Sequence, residues 1–583
     1  MDINSHPSKI KPILSHSLLI ENLYHYQDFH RRRYKKTINF KFQCPENPIY
    51  TPNGFKSQTQ LFTALKTIKV LKKTNLSQAK IIDYSASQSK TFSIYKKISK
   101  VPILSMQAYC RPGQVYRGKS VENWPKIFRR VHNLTYELTG MVNGHRTFTE
   151  QPSFKNSEIK KIISLQRNLR FCPKLQGLVL KFPQYPMFPS MTFHNFERYP
   201  RKLKHLHIQP ACDNRMTNSS LGYLKSLEAI SLTFSSTFSH NFIKNTMNTL
   251  SGLQSLKEID LKFKDSQNFD IYSPAFDKIA TQTLLLRKLR LKFDERASLP
   301  PKILESLTKF HQLSSFTLSV KCSSILPFIS EALANMTQLQ YLHLTLFHID
   351  IPLKTTDDLE DLSKKISQLE KLEHLELSLN LPALSYEKIN QSTFFLHLNH
   401  LFQKPIKIKT FRFTCQQINP QSICLTLFKM LENSRDSLQN LKIDLRSYKP
   451  EEHNHTTILS FFKGLSNIRV LELPSFEIPN REFLNDLAET VQTLKYLRIF
   501  TVGMMRDTVT SSGFSSAVKS ILEKKGLRVF TYKIDKDLME TLRATGNKKL
   551  KIDFQEVIKR NPYIEMTPQN PLLFNNPASN NDW

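Results

Sequence analysis

A six-residue figure, apolar-x-x-apolar-x-apolar, recurs from Leu175 to Tyr532 and constrains this chain more than any other feature. Early copies are Leu175-Leu178-Leu180, Leu203-Leu206-Ile208, Leu227-Ile230-Leu232 and Leu256-Ile259-Leu261. Leu286-Leu289-Leu291, Leu313-Phe316-Leu318, Leu339-Leu342-Leu344 and Leu372-Leu375-Leu377 follow. The last are Ile408-Phe411-Phe413, Leu438-Leu441-Ile443, Ile468-Leu471-Leu473, Leu494-Leu497-Ile499 and Leu527-Phe530-Tyr532. Successive copies begin 24 to 36 residues apart. A period in that range marks a stacked repeat, in which each unit buries its apolar face on its neighbours. A chain of 583 residues exceeds what a single compact core accommodates, and a stack escapes that limit.

Within each figure the last two apolar residues are expected to point into the core of a short strand. Between figures the spacing turns helical. In the segment 357–372, Leu359, Leu362, Ile366 and Leu369 form one stripe. In 481–494, Leu484, Leu487 and Val491 do the same, and Asn480 stands where it can cap the first turn. Similar segments are expected at 301–313, 329–339, 424–438, 458–468 and 514–527, with Pro301 suited to a first helical turn.

Strand, loop and helix in repetition resemble the leucine-rich-repeat family, and within it the ribonuclease-inhibitor-like class with a helix in each repeat. The resemblance covers about Leu175 to Tyr532, and could begin at Val131-Leu134-Tyr136. It implies an α/β solenoid, a horseshoe with a parallel sheet on the concave side and helices on the convex side. The family places Asn or Cys just beyond the last leucine; Asn380 fits, whereas Ala211, Ser235, Lys321 and Arg446 occupy that place elsewhere. An uneven stack with long loops near 380–405 and 444–457 is expected.

Three regions follow: a basic segment over 1–125, partly disordered or helical, the solenoid over 126–560, and a disordered tail over 561–583. A helix is plausible over 13–26. The net charge is +34. Residues 1–170 carry 30 Lys/Arg against 9 Asp/Glu, and the remainder 53 against 40. Such a field favours anionic partners, whether nucleic acid, acidic protein surfaces or anionic lipid, and does not choose among them. The cluster Arg31, Arg32, Arg33, Lys35 and Lys36 is its densest point and reads as an import signal, a nucleic-acid patch or a solvated run.

Seven scattered cysteines without a C-x-x-C pair support neither a disulfide framework nor a zinc site. No apolar run reaches membrane-spanning length, and the N-terminus lacks a signal-peptide layout. The expectation is an intracellular protein, cytoplasmic rather than nuclear, with no membrane contact. Gly113-Gln-Val-Tyr-Arg-Gly118-Lys119-Ser120 matches a phosphate-binding loop, but Pro112 precedes it and Pro125 interrupts the helix such a loop must open. It reads as a basic turn. His453 and His455 lack a third ligand nearby. No catalytic constellation, metal site or cofactor motif is expected, and the chain reads as non-enzymatic.

The candidate binding surface is the concave strand face, reached by the residues flanking the inward pair. It comprises His205, His207, Lys262, Lys288, Arg290, Lys292, Tyr341, His343, His374, Glu376, Arg412, Tyr496 and Arg498. Their mixed charge suits a protein ligand better than a phosphate backbone, which calls for one sign. The leading expectation is an interaction scaffold. A ubiquitin-ligase substrate receptor with an N-terminal F-box is one alternative, although no Leu-Pro opening occurs over 13–34. A nucleic-acid-binding protein acting through the basic N-terminal region is another.

Overall fold

The computed structural model describes residues 173–534 except 182–201, 210–218, 235–239, 264–271, 295–300, 322–324, 348–353, 381–398, 403–406, 417–426, 446–453, 475, 477, 506–510 and 528. It also describes the backbone of short strands at 18–19, 37–42, 78–83, 103–110, 131–138 and 565–566. The chain divides into two compact units, Met1–Leu286 and Arg287–Trp583. Each is an α/β solenoid of the leucine-rich-repeat type, with a parallel sheet and helices alternating along the chain.

In the first unit the strands are β1 (Leu18–Leu19), β2 (Thr37–Phe42), β3 (Gln78–Asp83), β4 (Ile103–Cys110) and β5 (Val131–Leu138). They continue with β6 (Gly177–Lys181), β7 (His205–Gln209), β8 (Ala229–Phe234) and β9 (Glu258–Phe263). From β2 to β9 each pairs in parallel with the next. β1 is antiparallel to β2. Helices α1 (Ser219–Gly222), α2 (His240–Ser251) and α3 (Ser273–Gln282) complete the described elements of this unit.

The second unit contains β10 (Lys288–Phe293), β11 (Ser315–Lys321), β12 (Tyr341–Phe347), β13 (His374–Asn380) and β14 (Thr410–Gln416). It continues with β15 (Asn440–Leu445), β16 (Val470–Leu473), β17 (Ile499–Met505) and β18 (Val529–Ile534), followed by β19 (Glu565–Met566). Every neighbouring pair is parallel. The helices are α4 (Pro301–Leu307), α5 (Leu326–Asn335), α6 (Lys354–Ser367), α7 (His455–Lys463), α8 (Arg481–Thr493) and α9 (Ser511–Glu523). Between β14 and β15 a helical turn over 427–431 runs into the 3-10 turn Glu432–Ser434.

The figure explains this architecture. Its middle apolar residue aligns across the whole second unit as Leu289, Phe316, Leu342, Leu375, Phe411, Leu441, Leu471, Phe500 and Phe530. Every one is at most 1% exposed. Burial on that scale contributes about 1.5–3 kcal/mol for each large apolar side chain. The helices close the other side of the core. Leu359, Leu362 and Ile366 of α6 are buried, as are Phe483, Leu484, Leu487 and Val491 of α8. Asn480 caps α8 as expected: its backbone is extended and its Oδ1 accepts from the Phe483 amide at 2.9 Å.

Backbone hydrogen bonds fix where each strand starts. The Arg287 carbonyl accepts from the Ser314 and Ser315 amides at 2.9 and 3.0 Å. The Ser314, Gln340, Glu373, Lys409, Gln439 and Arg469 carbonyls each accept the corresponding pair from the next repeat. The same brace occurs in the first unit at Gln176, Lys204 and Glu228.

Two features differ from the sequence reading. A third apolar layer follows the figure, with Phe293, Val320, Leu346, Leu379, Cys415 and Leu445 all buried. One copy of the figure is misplaced. Phe500 and Val502 pair with Leu471 and Leu473, so the true copy is Leu497-Phe500-Val502, three residues after Leu494-Leu497-Ile499. Leu494 ends the helix and is itself buried, as Leu465 is one repeat earlier, so the three-residue spacing begins one step too soon. Once corrected, the last starts (438, 468, 497, 527) are 30, 29 and 30 residues apart.

The phosphate-loop match at 113–120, the cluster at 31–36 and most of 13–26 and 561–583 lie outside the described residues. Within those spans, Leu18–Leu19 and Glu565–Met566 are described as two-residue strands. None of the described helices is long and apolar enough to cross a membrane.

Candidate functional site

Side chains alternate along a strand, so the residues between the buried ones stand on the face away from the helices. Eleven of the thirteen face residues named from the sequence lie on strands at outward positions. In the first unit His205 and His207 lie on β7, with His205 exposed, and exposed Lys262 lies on β9. Between them, the Ser231 hydroxyl donates to Asp260 Oδ2 at 3.2 Å. At the strand starts, Lys204 and Lys257 hold the Glu228 carboxylate at 2.5 and 2.9 Å. Their hydrogen bonds lower its pKa to about 2.

In the second unit Lys288, Arg290 and Lys292 lie on β10, Tyr341 and His343 on β12, His374 and Glu376 on β13, and Arg412 on β14. Tyr496 and Arg498 are not on the strand face. The three-residue slip puts them in the turn before β17, where Tyr496 is 41% exposed and Arg498 Nη1 donates to the Gly526 carbonyl at 3.1 Å.

The register turns these residues into rows. One row runs Arg290, Thr317, His343, Glu376, Arg412, Lys442, Glu472. The row to one side runs Lys288, Ser315, Tyr341, His374, Thr410, Asn440, Val470. On the other side it runs Lys292, Ser319, Thr345, Ser378, Thr414, Asp444.

Glu376 is the centre of the closest-knit part. Its side chain is 15% exposed, whereas that of Arg412 beside it is 46% exposed. Arg412 Nη1 approaches Glu376 Oε1 at 3.3 Å, and His343 Nδ1 stands 3.5 Å from Oε2. His343 Nε2 lies 3.0 Å from the Thr345 hydroxyl. Burial, with the Glu376 charge and its hydrogen bond adding to it, pushes the Tyr341 phenol up to about 12. The Tyr341 and His374 rings lie 6.2 Å apart.

Burial lowers the His343 pKa. Glu376 opposes this, while Lys292, Arg412 and Arg290 add to it. A neutral ring with its proton on Nδ1 suits both neighbours, facing the carboxylate with one nitrogen and accepting from Thr345 with the other.

The sequence reading passed over the hydroxyl residues of β11. Ser315 and Thr317 are buried and Ser319 is half-buried, so β11 forms a low trough between the basic side chains of β10 and the Tyr/His pair of β12. Their outward alternation with Phe316 and Leu318 was visible, but they carry no charge to draw attention. His455, one of the two histidines weighed as a metal ligand, opens α7, and its ring centroid lies 4.7 Å from that of Phe483; His453 is outside the described residues. No group of three or more potential metal ligands occurs among the described residues.

No protein-family model matches the chain, and no curated protein matches it. Among solved structures it is similar to one titled "Crystal structure of Rad7 and Elc1 complex in yeast". The identity is 14% and the TM-score 0.37, over 57% of this chain and 78% of that one. Likeness at that level carries no argument about function.

Proposed function

We propose that this chain is a protein-interaction scaffold, acting by binding rather than catalysis, that holds a protein ligand on its outer strand face. The observation carrying this reading is the register of the second unit. Apolar positions align into continuous buried rows, and the intervening positions align into continuous rows of mixed charge, hydroxyl and aromatic character, in which the charged side chains stand out above low, buried hydroxyls such as Thr317 and Thr410. A rigid array of that composition suits a protein surface, where aromatic and arginine side chains act as anchors. A phosphate backbone running along the central row would meet Glu376 and Glu472 among the cations. The helices α4–α9 favour the helix-containing, ribonuclease-inhibitor-like class. The basic segment over 1–125 would supply a second contact with an acidic partner.

Site-specific photo-crosslinking tests this. A crosslinking residue replaces Ser378 on the strand face or exposed Lys364 on α6 in the full chain. The expected result is discrete protein adducts from position 378 and none from position 364. Adducts only from the helix side, or nucleic acid alone from position 378, would sink the proposal.

A further inference from the structure

We propose that the part of the strand face spanning β10 to β14 binds an acidic, extended segment of the protein ligand, laid across the strands over the β11 trough and Glu376. This rests on the protein-binding reading above and names the chemistry of the partner.

Charge is the first argument. In the central cluster Arg290, Lys292 and Arg412 stand against one carboxylate, Glu376. The register places Arg290 and Arg412 in one row with His343 and Glu376, with Lys292 two residues from Arg290 on the same side of β10, and all three cations lower the His343 pKa. Beyond β14 the balance reverses, with Lys442 facing out among Asp444 and Glu472. The face is therefore polar along its length, positive at the β10 end and negative at the β16 end. An anionic segment has one favoured place on it.

Shape is the second argument. Arg290 and His343 are both in register with Thr317, so they flank the trough two strand spacings apart, about 10 Å. That gap is floored by small hydroxyl side chains, into which a segment crossing the strands can settle between Arg290 and His343. From β10 to β14 there are four spacings, about 19 Å, which an extended segment of about six residues crosses.

Glu376 is the third argument. A carboxylate at the centre of a basic face penalises a dense, uniformly charged polymer. A peptide with spaced carboxylates can straddle it, meeting Arg290 and Lys292 on one side and Arg412 on the other. Tyr341 and His374 beside it offer apolar edges to intervening residues.

The test uses the full chain and three fluorescent probes measured at several salt concentrations: a ten-residue peptide alternating Glu with Leu or Ala, the same peptide with Gln for Glu, and a single-stranded oligonucleotide. Because the whole chain is strongly basic, the variants carry the discrimination. Lys292→Ser/Arg412→Ser removes two charges from the face, and Lys302→Ser/Lys463→Ser removes two exposed charges from helices α4 and α7. The expected result is an approximately tenfold weaker Glu peptide with the face variant, against less than about threefold with the helix variant. Glu376→Gln keeps the shape and is expected to tighten the Glu peptide severalfold, and the Gln peptide should respond to neither change.

Equal losses in the two double variants would overturn the proposal, as would a Gln peptide binding as well as the Glu peptide. Tighter oligonucleotide binding with the same face dependence would replace it with a nucleic-acid interface. If the peptides show no face dependence while position 378 still crosslinks protein, the acidic class fails and the docking face stands. If both fail, the scaffold reading falls with it.

Discussion

Leu318→Ala and Ser319→Ala test the register most directly, because adjacent residues of β11 face opposite ways. Leu318 is fully buried and lies in register between Leu291 and Leu344, whose side chains are also fully buried. Truncation removes three carbons from that row, about 2 kcal/mol in lost transfer free energy at ~0.8 kcal/mol per methylene. The neighbouring strands are held by their own ladders and cannot close the gap fully, so a cavity penalty adds to this. The expected total is about 3 kcal/mol, within the 2–5 kcal/mol typical of buried leucines. Ser319 stands on the outer face and should change stability by less than about 0.5 kcal/mol. Urea unfolding followed by circular dichroism measures both, and hydrogen exchange localises the loss. In a stack, faster exchange should be confined to β10–β12 and the helices between them. If Ser319→Ala costs as much as Leu318→Ala, or Leu318→Ala costs less than about 1 kcal/mol, the strand is off by one residue and the face assignment is wrong.

Three further outcomes follow. Asn480→Ala removes the cap on the Phe483 amide and should cost about 1 kcal/mol, read as faster exchange in the first turn of α8. Gly503→Ala places a Cβ 2.5–2.8 Å from backbone atoms of Phe476 and Pro474, which cannot yield as a flexible side chain would; a loss of about 1–3 kcal/mol is expected in the same urea assay. His343 has a folded-state pKa below its ordinary 6.5, so the folded chain refuses a proton that the unfolded chain accepts. Its contribution is intact above pH 6.5 and is lost as pH falls through that value towards the folded pKa; His343→Gln should flatten the fall in urea midpoint between pH 7.5 and 5.5 relative to the parent chain, and an equal fall in both would refute the assignment.

The fold was legible because the figure carries both of its physical instructions, a strand period and a buried side. Leu286-Leu289-Leu291 and Ile468-Leu471-Leu473 state both in a few residues. At Leu494 the same rule misled, since a helix-ending leucine three residues before the figure mimics its first position. Pairing settled the matter, because only Phe500 and Val502 continue the buried row. The strand β4 shows a different limit. Met106 and Ala108 align with Leu134 and Tyr136, so the position of the figure is kept there without its leucines. Site legibility had a parallel limit. Arg290, His343 and Glu376 stood out by charge, whereas Thr317 and Ser319 gained meaning only when the ladder set them between those residues.

The paired hydrogen bonds at each strand start reach further than the fold description. Each joins backbone to backbone across one step and involves neither the loop lengths nor any outward side chain. The distance along the chain between steps can therefore vary, as the 36-residue interval from Leu372 to Ile408 shows, without moving the strands out of register. Folding information is thus written apart from the outward side chains that the proposed binding would use. If the strand face binds as proposed, the choice of ligand can change by rewriting alternate residues of β10–β16 while the scaffold beneath keeps its geometry.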